Sequence, residues 1–466
     1  MFSQFLKDHE DVNICDNVAE TIDTLKRIYN VQIENLKTIG QRSMAAYALT
    51  TVTYPLLSIN LNGKFYSSPI SNPQLFENYY MEECLKVNSI EGKNSCEARF
   101  AVSKSKHPVP LALVDEDLAY ALTQEQMAFR KINILSIEAV EEENAVSECP
   151  TNPLFDDKGL DAKELECVQH PILWFHPTRI DYSINRLKHY TGLMANNLQD
   201  YIVFVNYQKY LPYFVEYAKE EIAKGNFVDL IGPDNSSLVA NKMQAPASWN
   251  DSVTLPQMPA YSLVLPNRQG ITLVNIGVGA SNAKTMADHL SVLRPKYAMM
   301  VGHCGGLKAE HAIGDYIVGD NHLMIDFDNV HRDSISLATC YNEFGHHLVT
   351  DKKCYVGPVV SVCDRNWELT ATRVHQSVKD FGAVGIDMES AMLVKVFEQH
   401  GVPAGSFLCI SDRPFHREIR LQKMAQNFYA SKLEDHLMDA LNIMRMFIMK
   451  QDLASFVFSE GGPLFR

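Results

Sequence analysis

Three polar clusters in the second half of the chain each follow an apolar run. Asp364–Trp367 follows YVGPVVSVC, Asp387–Glu389 follows AVGI, and Ser411–Asp412 follows GSFLCI. Two glycine-rich stretches stand in the same relation to their runs: Gly277–Asn282 after ITLVNI, and Gly302–Gly306 after YAMMV. In an open parallel sheet, ligands bind at the carboxyl ends of strands, so five strand ends can line one crevice. Asp412, anchored by a buried run, is a candidate general acid. Glu389 opens a helix, where the dipole favours a carboxylate, and is a candidate acceptor for paired sugar hydroxyls. Trp367 offers a face on which a base can stack. The glycines allow close backbone approach, and N–H groups at a helix start attract anions. Each residue also has a plainer role: Asp412 capping a turn, Glu389 only starting its helix, Trp367 in the core, the glycines in ordinary βα turns. Their convergence is more informative than any one of them. The glycine pattern is neither a Walker A loop nor a full GxGxxG.

A further cluster lies in HPTRIDYSINRLKHYTG, residues 176–192. Asp181 or Ser183 is a candidate cap for a helix running through Arg186, with Asn185, Arg186, His189 and Tyr190 on neighbouring faces. Arg179 and Arg186 are candidates for an anion clamp, because guanidinium forks match phosphate oxygens. The plainer alternative is a solvated helix face.

The elements that must position these residues are legible as patterns. Ile271–Leu307 reads as one βαβ unit: a buried strand, a small-residue turn, a helix over Ala283–Leu293 ended by Arg294-Pro295, and a second strand over Tyr297–Val301. From Tyr261 onward strand and helix patterns alternate, which predicts a largely parallel sheet flanked by helices. Gly314–Gly319 and His322–Asp326 read as two strands joined by a turn, and Arg420 to about Lys450 as a long amphipathic helix. Gly232–Pro259, rich in Gly, Pro, Asn and Ser, reads as a linker or lid. This organisation predicts an N-terminal domain over 1–230, a linker over 231–260 and a catalytic domain over 261–466. In the N-terminal part, residues 1 to about 50 read as helical, with Val18, Ile22, Leu25, Ile28, Tyr29, Ile33 and Leu36 forming one apolar stripe. Thr51–Ile59, Gly63–Tyr66, Arg99–Val102 and Leu111–Val114 read as strands, Gln124–Arg130 as a helix, and Glu138–Glu143 as a solvated acidic loop.

The chain has 466 residues, enough for two or three domains, with 46% hydrophobic and 21% charged residues. A net charge of −14 argues against broad binding to nucleic acid or anionic membranes. No basic segment followed by a long apolar core opens the chain, and no apolar run is long enough to span a bilayer. Ten scattered cysteines without a CxxC pair point to reduced thiols in a cytoplasmic protein, and the sixteen histidines show no HExxH metal motif.

The stretches NIGVGASNAKTMADHL, GHCGGLKAEHAIGDYIVGD, DRNWEL, IDMESA and CISDRP together resemble the nucleoside phosphorylase/nucleosidase superfamily. RIDYSINRLKHYTG and MPAY are similar to its larger members, which carry an additional N-terminal domain. The resemblance implies a C-terminal nucleoside phosphorylase-like three-layer α/β sandwich with a central mixed sheet, plus an N-terminal α+β domain that completes the phosphate site or regulates it. It implies hydrolysis of the N-glycosidic bond of AMP to adenine and ribose 5-phosphate. Asp412 then protonates purine N7, Glu389 binds the ribose hydroxyls and Met388 packs beside the sugar. Asn366 and Trp367 belong to the base-binding loop, while Gly279, Ser281, Asn282 and His303 belong to phosphate- or sugar-binding turns. Arg179, Arg186 and Lys284 are the candidates to hold the 5′-phosphate. The resemblance further implies a homohexamer, no cofactor or metal for the chemistry, MgATP as allosteric activator and phosphate as inhibitor.

Two departures bear on mechanism. Hexameric phosphorylases carry an arginine three residues before the position of His303, and this chain has Met300 there. Small nucleosidases place a water-orienting glutamate in the first glycine loop, near where this chain has Lys284. Two alternatives stay open: a purine nucleoside phosphorylase using inorganic phosphate, and a non-catalytic adenylate sensor.

Overall fold

The computed structural model describes residues 12–15, 17–42, 52–61, 64–81, 84–85, 99–109, 177–237, 255–326, 329–336, 353–416 and 422–450. Leu111–Val114, Gln124–Arg130 and Glu138–Glu143 lie outside the described residues, as does most of the expected linker. The chain forms two compact units, Met1–Asn185 and Arg186–Arg466.

In the first unit, helix α1 (Val18–Arg42) buries Val18, Ile22, Leu25, Tyr29 and Leu36 of the expected stripe and leaves Ile28 and Ile33 half-buried, while Asn13–Cys15, expected as helix, is a strand. Asn17 caps it by accepting the Glu20 N–H at 2.9 Å. Strands β1 (Asn13–Cys15), β2 (Thr53–Leu61), β3 (Lys64–Pro69) and β4 (Arg99–Pro108) form an antiparallel sheet in the order β1-β4-β2-β3. Helix α2 (Pro177–Thr191) starts four residues earlier than Asp181, with proline in its first turn. Asp181 is therefore not the cap. Its buried carboxylate instead accepts hydrogen bonds from Tyr54, Ser71 and Asn72. Burial pushes this carboxyl up to about 6, against the pull of the three donors.

The second unit is built on a ten-stranded mixed sheet. Its elements are β5 (Tyr201–Val205), α3 (Tyr210–Ala223), β6 (Asp229–Ile231), β7 (Ala260–Val264), β8 (Ile271–Asn275), α4 (Ala280–Leu290), β9 (Tyr297–Gly306), β10 (Tyr316–Asp326), β11 (Asn329–Ser336), β12 (Cys354–Val362), α5 (Ala371–Phe381), β13 (Gly385–Asp387), α6 (Ser390–Gln399), β14 (Ala404–Asp412) and α7 (Gln422–Lys450). The path runs β11-β10-β12-β13-β9-β5-β8-β7-β6, and β14 joins β9 to β10. Strands β9, β14, β10, β12 and β13 thereby close a ring. Helices α3 and α7 pack on alternate residues of β5 and β9, among them Val203, Val205, Met299 and Val301. Each such side chain, fully buried, contributes about 1.5–3 kcal/mol.

Three expectations are corrected. The division falls between Asn185 and Arg186 rather than within 231–260, because β5 inserts between β8 and β9 and draws 201–231 into the second unit's sheet. Gly302–Gly306 is no turn but the end of β9. A Cβ on Gly305 or Gly306 would come within 2.9 Å of Ile386 on β13 or Ile410 on β14 respectively, so glycine is what lets the ring close there. The two strands expected over 314–326 are one strand, β10, with an irregularity between Gly319 and Asn321.

Candidate functional site

Glu389 stands at the N-cap of α6, yet its side chain does not cap that helix. Asp387 takes the capping role. One of its oxygens accepts the Ser390 N–H at 2.9 Å and the Ser390 hydroxyl, and the other accepts the Ser361 hydroxyl. Ser361 Oγ in turn accepts the Ala391 N–H at 2.8 Å. The first N–H groups of α6 are thus satisfied without Glu389. Its carboxylate reaches across the fold, accepting the Gly279 N–H at 2.6 Å on Oε1 and Asn206 Nδ2 at 3.3 Å on Oε2. Glu389 is 1% exposed. Burial, and then the neighbouring Asp387 charge, push its carboxyl up to about 8, opposed by the donors from Gly279 and Asn206. Burial also raises Asp387.

The glycine loop carries the strain that this contact needs. Gly277 has φ +68° and Gly279, which precedes α4, has φ +120°. The latter is a region essentially closed to other residues. The Gly279 N–H is committed to Glu389, so it does not serve as an open anion donor. Asn282 Nδ2 lies 3.4 Å from where a Gly277 Cβ would stand, Ser281 is exposed, and the Lys284 ammonium pairs with Asp288 one turn further along α4. Lys284 is thus engaged on the helix surface.

Asp412 closes β14, half-buried, with the Ser411 hydroxyl donating to its Oδ1 at 2.6 Å. In the sheet, Asp412 and Ile386 flank Gly305 on its two sides. Neighbouring strands lie about 4.8 Å apart, so the backbones at Asp412 and Ile386 stand roughly 10 Å from each other across β9. Met388 is half-buried against the cluster that holds Trp367 and Ile386.

The loop after β12 is an Asx turn in which Asp364 Oδ1 accepts the Asn366 N–H at 2.8 Å, leaving Asn366 exposed. Trp367, expected as a stacking face, is 8% exposed and packs with Val374, Val378 and Ile386. Its ring meets Phe415 edge to face at 5.8 Å. Trp367 is a core residue, and Phe415, three residues after Asp412, is the half-buried aromatic beside it. His303 points to the α3 and α7 side, stacked on Tyr210 with Nε2 3.3 Å from the Tyr210 hydroxyl. Arg186 lies over the Tyr190 ring, 4.5 Å from its centroid, and Tyr190 stacks on His289 of α4. Arg179 stands seven residues earlier on α2, about two turns, and so shares Arg186's helical face.

The structure joins Glu389 to Gly279 and Asn206, and sets Asp412 and Ile386, three residues before Glu389, on opposite sides of Gly305. Asn206 was missed in the sequence, although it follows YIVFV at the end of β5 just as the other clusters follow their runs. Among the described residues, no three His, Cys, Asp or Glu side chains gather to hold a metal ion, and no helix is long and apolar enough to cross a membrane.

Residues 258–434 match the model of the phosphorylase superfamily. The chain is 32% identical to AMP nucleosidase of Escherichia coli strain K12 over 391 residues, covering 80% of this chain and 77% of that protein. It is 23% identical to guanosine phosphorylase of Halorubrum lacusprofundi over 171 residues, covering 35% of this chain and 70% of that protein. A crystal structure of AMP nucleosidase from Bacteroides thetaiotaomicron aligns with 22% identity and a TM-score of 0.41, over 58% of this chain and 98% of that one. On the strength of the Escherichia coli relative, the chain belongs to the AMP nucleosidase family.

Proposed function

We propose that this enzyme hydrolyses the N-glycosidic bond of AMP, giving adenine and ribose 5-phosphate. The observation that carries the reading is the pair of carboxyl groups flanking β9: Asp412 on one side, and Glu389 beyond β13 on the other. Asp412 delivers a proton to purine N7, so adenine leaves neutral while the ribosyl ring becomes oxocarbenium-like. A carboxylic acid placed at the leaving group supplies about 10²–10⁴ in rate. Glu389, already oriented by Gly279 and Asn206, receives the ribose hydroxyls. The fully buried, uncharged Met300 supports water rather than free phosphate as nucleophile, because it supplies no cation for an attacking anion. Arg179 and Arg186 hold the 5′-phosphate. MgATP as activator, phosphate as inhibitor, a homohexamer and a cytoplasmic location belong to the same proposal.

The test is a product assay on purified protein with AMP, without added phosphate, with and without MgATP, beside Asp412→Asn. Free adenine with ribose 5-phosphate, largely lost in the variant, is the expected result. Cleavage only when phosphate is added, giving a sugar 1-phosphate, would replace the reading with a phosphorylase. AMP binding without turnover would replace it with a sensor.

A further inference from the structure

The side chain of Asn206 is 6% exposed, with Nδ2 committed to Glu389 Oε2. Its other polar atom, Oδ1, is buried and has no hydrogen-bond partner among the described residues. A buried acceptor left unpaired is costly and rare, so one at a reaction centre points to a ligand that completes it. Strand β5 holds the residue between β8 and β9, and a Cβ at Gly302 would lie 3.3–3.4 Å from both atoms of its amide. Glycine at 302 is what leaves the amide its place.

We propose that Asn206 Oδ1 accepts a hydrogen bond from the water that attacks C1′, and so positions the nucleophile. The inference rests on the AMP-hydrolase reading above. In AMP the base departs from one face of the ribose, and both ring hydroxyls lie on the other. Water replacing adenine approaches C1′ from the hydroxyl face. Glu389 marks that face, and Asn206 is bonded to Glu389. As C1′–N9 breaks, its electron pair leaves with the adenine protonated by Asp412. A water lone pair forms the new C1′–O bond, and the proton lost from that water balances the one Asp412 gave. Asn206 transfers no proton. It holds the oxygen in line, and loss of such alignment costs about 100-fold.

The test uses the full chain as wild type, Asn206→Ala and Asn206→Ser, with folding checked by thermal melts. Steady-state constants for AMP are measured, together with the partition between ribose 5-phosphate and its methyl glycoside in water–methanol mixtures. The expected result for Asn206→Ala is a kcat lower by about 100-fold, a KM within about threefold of wild type, and a partition moved several-fold towards methanol, because a site that no longer holds water selects less for it. Serine, which retains an acceptor, restores part of both. A raised KM with an unchanged partition would overturn the inference and make Asn206 a sugar ligand. Unchanged constants and partition would make it a bystander and overturn it equally. Absence of hydrolysis in the wild type would overturn the hydrolase reading itself, and is distinguished from both by that control.

Discussion

Glu389 accepts the backbone N–H of Gly279 at 2.6 Å, across 110 positions of sequence. The contact ties the helix start after β13 to the glycine loop after β8, so the Glu389 carboxyl has its direction before any ligand arrives. Such preorganisation is where a site gains most of its electrostatic advantage. Glu389→Gln keeps an acceptor for Gly279 but can no longer ionise. Its AMP turnover is expected to fall about 100- to 1,000-fold, by analogy with loss of one preorganised polar group. Stability should move the other way. The native carboxyl titrates near 8, against an ordinary value of 4.5. Between those pH values the native state holds a proton that the unfolded state has lost, so wild-type stability falls as pH rises through the window. The glutamine variant lacks that term. Its melting temperature relative to wild type should therefore rise by a few degrees from pH 5 to pH 8. An unchanged difference across that range refutes the assignment.

Gly279→Ala separates backbone strain from crowding. Nothing lies within 4 Å of the added Cβ, so the cost comes from φ +120° alone. Residues other than glycine at such angles cost about 1–3 kcal/mol, or the loop relaxes to avoid the cost. Relaxation would swing the N–H away from Glu389. The variant is expected to lose several degrees of melting temperature and at least tenfold in turnover. Loss of stability with full activity would show that the contact does not orient Glu389.

Much of this site was legible because strand ends leave a local mark: an apolar β-branched run followed by a polar or glycine cluster. Glu389, Asp412 and Gly279 were found that way, and Asn206 carries the same mark after YIVFV. The mark does not state strand order. Nothing local in residues 201–205 says that they lie between β8 and β9, and the unit boundary was misplaced for that reason. Nor does residue type reveal competition for partners. Asp387 and Glu389 look alike in IDMES, and only the fold shows that Asp387 caps α6 while Glu389 reaches across to Gly279 and Asn206. The partners of Lys284 and Trp367 were not legible for a related reason. A lysine with an aspartate four residues on finds a helix-surface partner, and a tryptophan beside valines and an isoleucine is drawn into the core.

The arginine pair should show itself through the phosphate rather than the base. Arg179 and Arg186 share one face of α2, and Arg186 is held over Tyr190. Hydrogen bonds to charged groups are worth about 1.5–3 kcal/mol, so Arg179→Ala and Arg186→Ala should each raise the KM for AMP by about 10- to 100-fold. Adenosine lacks the phosphate, and its weaker turnover should change little. Equal effects on both substrates would mean that the arginines support the fold and not the phosphate. Arg186→Lys should behave nearly as badly as alanine, because an ammonium cannot reproduce a fork held flat on a ring.

Asp387→Asn addresses how one carboxyl governs its neighbour. Asparagine can still cap α6 through its oxygen, so the fold should tolerate it with a loss of about 1–2 kcal/mol. What disappears is the charge that, after burial itself, raises Glu389. Ribose hydroxyls donate best to an ionised Glu389, so wild-type KM for AMP should fall as pH rises through the titration of that group. In the variant the fall should occur at lower pH, because Glu389 ionises more easily without a like charge two residues away. The sign is diagnostic. A purely structural injury would scale activity down at every pH and leave the midpoint where it is.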